Sequence, residues 1–147
     1  MPDPRYGLDC EAPWCDKILD GEKTIETRKY RLPAELIGQR IWLLESGGEE
    51  NVPSLGDEVL AGSQGARIVG SVTFIDVKKY TSQESWAADA DKHRVPEDSP
   101  YAFHQKPGPA YGWVVGATER LPQPLPLPQM RRISRSIYEV SQAPVNA

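Results

Sequence analysis

The most regular feature of the chain is a series of short hydrophobic stretches with the patterns of β-strands. Lys23 to Tyr30 alternates polar and apolar positions, which predicts a strand with one polar face. Arg40 to Glu45 and Ala66 to Val77 are nearly continuous apolar runs, and we expect them to form buried central strands. Tyr111 to Val115 and Ile133 to Val140 predict two further strands.

Helix signals are short and lie between these strands. Pro13 to Leu19 is followed by Gly21, which predicts a short helix with a glycine at its C-terminal end. Pro33 to Gly38 predicts one helical turn, and Thr81 to Glu84 has the capping-box spacing that begins a helix running to about Lys92. Because strands dominate and do not alternate with long helices, the predicted class is α+β with the strands curled into a small barrel.

Glycine and proline define the connections. Residues 1–10 are predicted to be a loose arm, and residues 47–65 and 95–109 are predicted to be loops. Prolines recur at every second position from Pro122 to Pro128, which keeps the missing N–H donors on one side. This stretch is therefore either an edge strand or polyproline II.

Composition indicates one globular domain. The 147 residues are 39% hydrophobic and 26% charged, so we expect a single domain over residues 1–147. Its core spans about residues 8–141, between the arm and a C-terminal tail. No apolar run in the sequence approaches the ~20 residues that cross a bilayer, and the first seven residues do not have the apolar core of a signal peptide. We therefore expect a cytoplasmic protein without a membrane partner.

The charge is acidic overall but unevenly distributed. A net charge of −4 argues against a domain that coats duplex nucleic acid non-specifically. Basic residues gather at Arg28 to Arg31 and at Arg131 to Arg135, whereas acids gather in residues 45–58 and 84–98. The basic groups either form a local cleft for a short anionic ligand or belong to a solvated surface.

Cysteine and histidine spacing gives no metal signature. Cys10 and Cys15 do not form a C-x-x-C pair, and neither His93 nor His104 is near these cysteines in the sequence. We expect both cysteines to be reduced and without a catalytic role, and we expect neither a metal nor another cofactor.

The segment from residue 13 to residue 28 carries the densest candidate chemistry. Trp14 offers a plane on which a base can stack. Lys23 and Arg28 can hold a phosphate or a carbonyl, and Glu26 can accept from an amino group. Strict alternation places Lys23 opposite the other two charges, so their convergence requires a bend at the start of the strand. The alternative is that Glu26 merely pairs with Arg28 and Trp14 belongs to the core.

Two further residues are weaker ligand-binding candidates. Tyr111 precedes Trp113 by two positions, so both lie on one face of their strand, in the core or at a site. Arg132 either meets phosphates at the mouth of the barrel or lies on a solvated face.

Residues 13–28 follow the pattern PWxxxILxGxKTIExR, which resembles the N-terminal signature of the ASCH (activating-signal-cointegrator homology) family. Three segments similar to later family blocks follow in order, at residues 37–46, 68–75 and 111–121, so the resemblance covers roughly residues 8–140. It implies a PUA-like small curved β-barrel of about five to seven strands, with two or three short helices around one mouth.

The resemblance also implies a link to RNA. The family is associated with RNA binding; some members cleave single-stranded RNA, and others deacylate N4-acetylcytidine with a lysine, a threonine nucleophile and an acid. Lys23 matches that lysine, but Glu26 stands where the threonine is needed. The acid corresponds to Asp89 or Asp91, between which spacing does not choose. Glu26 can activate a water as a general base, but it cannot form an acyl-threonine intermediate.

Three functions follow as hypotheses. The first is a module that binds RNA, a nucleotide or a modified nucleoside. The second is a hydrolase acting on single-stranded RNA or an N4-acylated cytidine, with Lys23 and Glu26 as catalytic residues. The third is a non-catalytic adaptor domain that binds proteins. The candidate ligand-binding residues are Trp14, Lys23, Glu26, Arg28, Tyr111 and Arg132.

Overall fold

The hydrophobic runs of the sequence form one eight-stranded mixed sheet in the computed structural model, which describes residues 3–46, 55–63 and 66–141. The strands are β1 (Tyr6–Glu11), β2 (Ile25–Arg28), β3 (Arg40–Ser46), β4 (Glu58–Val59), β5 (Arg67–Tyr80), β6 (Ala110–Leu125), β7 (Met130–Ser134) and β8 (Ile137–Val140). The helices are α1 (Trp14–Leu19), α2 (Gln83–Ala87) and α3 (Ala90–His93), with 3₁₀ turns at Ala34–Leu36 and Phe103–Gln105.

The strand order is β2-β6-β5-β3-β1-β8-β7-β4. This arrangement confirms the α+β class and the small curved sheet with short helices. Within the described residues the outermost strands, β2 and β4, are not paired with each other. The sheet is therefore open and not a closed barrel, and it has eight strands where about five to seven were expected.

The two apolar runs form central strands, as predicted. β3 pairs in antiparallel fashion with β5 and in parallel with β1, so both of its edges are satisfied. Leu43 and Leu44 are fully buried on its opposite faces, which explains why the run lacks alternation. Helix α1 covers one face of the sheet and places Cys15 and Ile18 in the main core.

The N-terminal segment and the C-terminal strand differ from the prediction. The predicted arm contains β1, which pairs with β3 and β8. Because its partners are distant in the chain, a local pattern does not reveal it. The single strand predicted from Ile133 to Val140 is instead the hairpin of β7 and β8, which turns at Arg135 with a φ of +52°.

The predicted helix after residue 81 is broken. Ser82, and not Thr81, caps α2 by accepting a hydrogen bond from the backbone N–H of Ser85 at 3.1 Å. A separate helix, α3, then begins after Asp89. No helix in the described parts of the chain is long and apolar enough to cross a bilayer.

The proline-rich stretch continues a strand. β6 runs through Pro122 and Pro124, and in this half it pairs with β5 while β2 reaches only to Val114. Of the two alternatives, the edge strand is therefore correct for this part. Proline lacks the N–H donor that a neighbouring strand would need, and at an edge no strand needs it. Prolines are therefore tolerated here.

Candidate functional site

A turn between α1 and β2 brings the charged residues of the motif together. Lys23 lies in this turn, before β2 begins, so strand alternation does not determine the direction of its side chain. The Lys23 backbone N–H donates to the carbonyl of Lys17 at 3.0 Å, and the Thr24 N–H donates to the carbonyl of Lys92 at 2.9 Å. These bonds fix the turn against α1 and α3, and they supply the bend that convergence required.

The four motif residues line one cleft of about 260 Å³. Lys23 and Glu26 are buried, whereas Trp14 and Arg28 are half-buried at its wall. The cleft also contains polar side chains that the sequence did not single out. These are Asp9, Glu11, Thr27, Ser46, Tyr101 and Ser136.

Glu26 is the centre of the charge arrangement. Its Oε2 accepts two hydrogen bonds from Arg28, from Nε at 3.1 Å and from Nη2 at 2.8 Å. Its Oε1 lies 3.5 Å from the Lys23 ammonium. The carboxylate is thus held between two cations, with Oε1 less fully engaged than Oε2.

Arg28 is occupied by the protein itself. Besides Glu26, its guanidinium donates to the hydroxyls of Tyr30 at 3.1 Å and Ser136 at 2.8 Å, and to the carbonyl of Asp9 at 3.2 Å. Five hydrogen bonds match the five N–H donors of a guanidinium. Arg28 therefore positions Glu26 and has no donor left for a phosphate.

Lys23 is likewise held from several sides. Its ammonium donates to the carbonyl of His93 and faces Glu26. It also lies 4.9 Å from the ring centroid of Trp14, a cation–π contact that fixes the indole beside the carboxylate. The lysine therefore links the stacking plane, the acid and α3.

Burial and charge pairing set the protonation of these groups. Burial alone raises the pKa of Glu26, but Arg28 and Lys23 outweigh it and hold the pKa below its ordinary value. Burial lowers the pKa of Lys23, and Glu26 offsets part of that effect. For Arg28, burial is also outweighed by Glu26, which raises the pKa. The cleft consequently holds an ionised carboxylate at neutral pH.

The lining of the cleft contains further acids, Asp9 and Glu11. The Asp9 carboxylate accepts a hydrogen bond from the Ser46 hydroxyl. Burial raises the pKa of Asp9, although Ser46 and Arg28 oppose the shift. The Tyr101 hydroxyl donates to Glu11 at 2.9 Å, which places its ring at the edge of the cleft.

Other sequence candidates lie away from this cleft. Tyr111 packs against the main core beneath the Arg31 guanidinium. Arg132 donates to Asp57 at 2.8 Å and covers the ring of Tyr138. Neither side chain lines the cleft.

The two acids considered for a catalytic triad are also elsewhere. Asp89 is buried and accepts hydrogen bonds from Lys78 at 2.7 Å and Tyr80 at 2.6 Å, whereas Asp91 is exposed on α3. Neither acid lines the cleft. The described part of the chain contains no cluster of three or more histidine, cysteine or acidic residues suited to a metal.

Comparison with known proteins agrees with the motif. The protein-family model of the ASCH domain matches residues 8–118 of this chain. A search of curated proteins found no match.

Solved structures agree with the fold. The crystal structure of ASCH from Zymomonas mobilis is 15% identical, with 83% of this chain and 71% of that chain covered and a TM-score of 0.55. A serine-to-alanine variant of that protein is 16% identical, with 86% and 76% covered and a TM-score of 0.56. At this low sequence identity, the similarity to solved structures shows the fold alone. The match to the ASCH domain, in contrast, spans most of the sequence. The chain therefore belongs to the ASCH domain family, whose members are PUA-like modules associated with RNA binding.

Proposed function

We propose that the protein binds RNA by holding one base in the cleft formed by Trp14, Lys23, Glu26 and Arg28. The observation that carries this proposal is the buried Glu26 carboxylate, held ionised between two cations beside an aromatic ring. A fixed anion that faces a cleft is a hydrogen-bond acceptor of defined direction, which suits the N–H donors of a base edge.

The less fully engaged acceptor of the carboxylate is Oε1 of Glu26. Both hydrogen bonds from Arg28 go to Oε2, whereas the Lys23 ammonium is 3.5 Å from Oε1. A carboxylate oxygen has two lone pairs, so Oε1 can accept from a ligand while the ion pairs stay intact. The amino group of cytosine or adenine is a donor of this kind.

Trp14 supplies the stacking plane. Its half-buried ring is fixed by the Lys23 ammonium and packs against the main core, so a base meets an ordered surface. Base–aromatic stacking contributes about 1–3 kcal/mol per base. A volume of about 260 Å³ lies just below the ~300–1,000 Å³ typical of drug-sized ligands, and one base or nucleoside suits it.

The charges within the cleft favour a base over a phosphate. The two cations face Glu26, and the remaining charged groups of the lining are Asp9 and Glu11. Arg28 has all its donors in use. An anion would therefore gain little here, whereas a neutral edge with N–H groups complements the carboxylate acceptors that line the cleft.

Binding is favoured over hydrolysis by the pKa of Glu26. A general base works best when its pKa lies near the operating pH, but Arg28 and Lys23 hold the pKa of this carboxyl below its ordinary value of 4.5. Glu26 is thus a weak proton acceptor at neutral pH and a strong hydrogen-bond acceptor.

Calorimetric titration with cytidine, N4-acetylcytidine and a single-stranded RNA of about six nucleotides tests the proposal. Trp14→Leu should weaken binding about 5- to 150-fold because it removes the stacking plane. Tyr111→Leu is the matched control, since both aromatics are half-buried and pack against the same core. We expect the control to bind like the unmodified protein.

The same samples separate the alternatives. Release of acetate from N4-acetylcytidine, abolished by Glu26→Gln, would establish the hydrolase instead of the binder. Absence of binding to all three ligands would contradict the proposal and favour the adaptor function. Equal losses for Trp14→Leu and Tyr111→Leu would show that the ligand does not stack in this cleft.

A further inference from the structure

A second groove of about 240 Å³ lies directly beside the base cleft. The two concavities share Thr27, Arg28 and Tyr101 in their linings, so they are neighbours along one surface. Tyr101 stands between them, about half exposed, and its hydroxyl is tied to Glu11 on the cleft side. A ligand in the cleft that extends past Tyr101 enters the groove.

The groove is cationic, in contrast to the cleft. Lys29, Lys106 and Arg135 line it, and its described lining contains no aspartate or glutamate. Within the described part of the chain, no carboxylate lies within ion-pair distance of these three cations. An acidic protein thus concentrates unneutralised positive charge at one place.

Several cations elsewhere on the surface are, in contrast, neutralised by acids. Arg5, Arg67 and Arg120 each form an ion pair with a carboxylate at 2.8–3.1 Å. A cation that is already paired with a carboxylate gains less free energy from contacting a phosphate than a cation without such a partner. The groove is therefore the favourable place beside the cleft for an anion.

The cations of the groove are positioned by neutral groups. The Lys29 ammonium donates to the carbonyls of Phe103 at 3.3 Å and Gly108 at 3.1 Å. Burial and the nearby Lys106 both lower the pKa of Lys29, as expected for like charges without a counterion. The Arg135 guanidinium lies 5.3 Å from the ring centroid of Tyr30, which keeps it over the groove.

We infer that this groove binds the phosphate backbone next to the base held in the cleft. The inference rests on the proposed function and deepens it: the ligand is a single strand of RNA and not a free nucleoside. Lys106 and Arg135 contact phosphate oxygens, Lys29 supplies a fixed positive charge, and Tyr101 lies between base and phosphate. A duplex is unsuited, because the base must leave its stack to enter the cleft.

Salt-dependent binding tests the inference with Lys106→Gln and Arg135→Asn. Asparagine tolerates the left-handed backbone at position 135, which has a φ of +52°. Lys17→Gln is the charge-matched control, because Lys17 is partly exposed, pairs with Glu22 and lies outside both concavities. The probes are the six-nucleotide RNA and cytidine, titrated between about 0.05 and 1 M salt.

The slope of log affinity against log salt is negative, and each groove substitution should reduce its magnitude by about 0.7, the value for one phosphate contact in a single strand. At 0.1 M salt this corresponds to about fivefold weaker RNA binding, which disappears near 1 M. Cytidine binding should not change, and Lys17→Gln should resemble the unmodified protein.

Outcomes for the two proposals differ. If cytidine binds through Trp14 but the groove variants keep the RNA affinity and salt slope of the unmodified protein, the groove inference is overturned alone. If the groove variants weaken RNA binding while Trp14→Leu does not, the base cleft is overturned and the groove is a phosphate site of another binding mode. Equal slope changes in Lys17→Gln would show a general charge effect and overturn the groove inference.

Discussion

Replacing Glu26 by glutamine tests whether the charge arrangement of the cleft is a structural unit. The substitution keeps the shape and one carbonyl acceptor, but it removes the charge between Lys23 and Arg28. Both partners are largely buried, with side-chain exposures of 1% and 18%. Removing one partner of a buried ion pair costs about 3–5 kcal/mol, because the other charge is left unpaired.

The structure indicates the lower end of that range. Arg28 keeps its hydrogen bonds to Tyr30, Ser136 and the Asp9 carbonyl, and Lys23 keeps the His93 carbonyl. These neutral acceptors compensate in part, so we expect the free energy of unfolding to fall by about 3 kcal/mol. Such a loss is a large fraction of the ~5–15 kcal/mol typical of a folded domain.

Urea denaturation at pH 7 measures this loss. Glu139→Gln is the control, because Glu139 pairs with Arg5 at 2.8 Å at a more exposed position and should change stability little. If Glu26→Gln lost no more stability than Glu139→Gln, the arrangement would contribute nothing to the fold and the reasoning would be refuted.

Acid denaturation provides a second readout of Glu26. The pKa of its carboxyl in the folded protein lies below the ordinary value of 4.5. Its ionised form therefore stabilises the protein above pH 4.5, and this contribution disappears as the pH falls through the lower folded value. The Glu26→Gln variant should lack this part of the acid sensitivity; identical pH profiles for the two proteins would contradict the pKa direction.

Three further predictions concern the frame around the site. Burial lowers the pKa of His93 below 6.5, so the free energy of unfolding measured with urea should decrease as the pH falls below 6.5. His93→Gln should make this pH dependence weaker. The same pH dependence in the variant and the unmodified protein would contradict the prediction. Gly70→Ala should cost about 1–3 kcal/mol in urea denaturation, because a Cβ would lie 2.4 Å from the Glu119 carbonyl oxygen, and unchanged stability would refute the contact. A hydrogen bond between the Cys10 thiol and Cys15, together with burial, raises the pKa of Cys10, and both cysteines are buried. A thiol reagent should therefore label neither cysteine until the protein unfolds; rapid labelling of the native protein would show that they are exposed.

Local hydrophobic and polar patterns in the sequence predicted those parts of the fold that depend on neighbouring residues. Arg40 to Glu45 is apolar because both faces of its strand are covered, and that property is visible in sequence. β1 was missed because it pairs with residues more than 30 positions away, and six residues of mixed polarity carry no signal of that pairing. Strand alternation placed Lys23 wrongly relative to Glu26, because a turn fixed by α3 precedes the strand.

The same distinction applies to the candidate site. The motif located Trp14, Glu26 and Arg28, which are close in sequence and converge on one cleft. Asp9 and Tyr101 reach that cleft from a predicted arm and a proline-rich loop, through tertiary packing that one sequence does not encode locally. The five hydrogen bonds that Arg28 donates go to four residues in three separate segments of the chain, so its positioning role required the structure.

A crystal structure of the protein with a short single-stranded RNA containing cytidine tests the central claim most directly. We predict one base against the Trp14 ring, with an N–H group donating to Oε1 of Glu26 and the ion pairs to Lys23 and Arg28 intact. RNA bound at another surface, with this cleft unoccupied, would contradict the account.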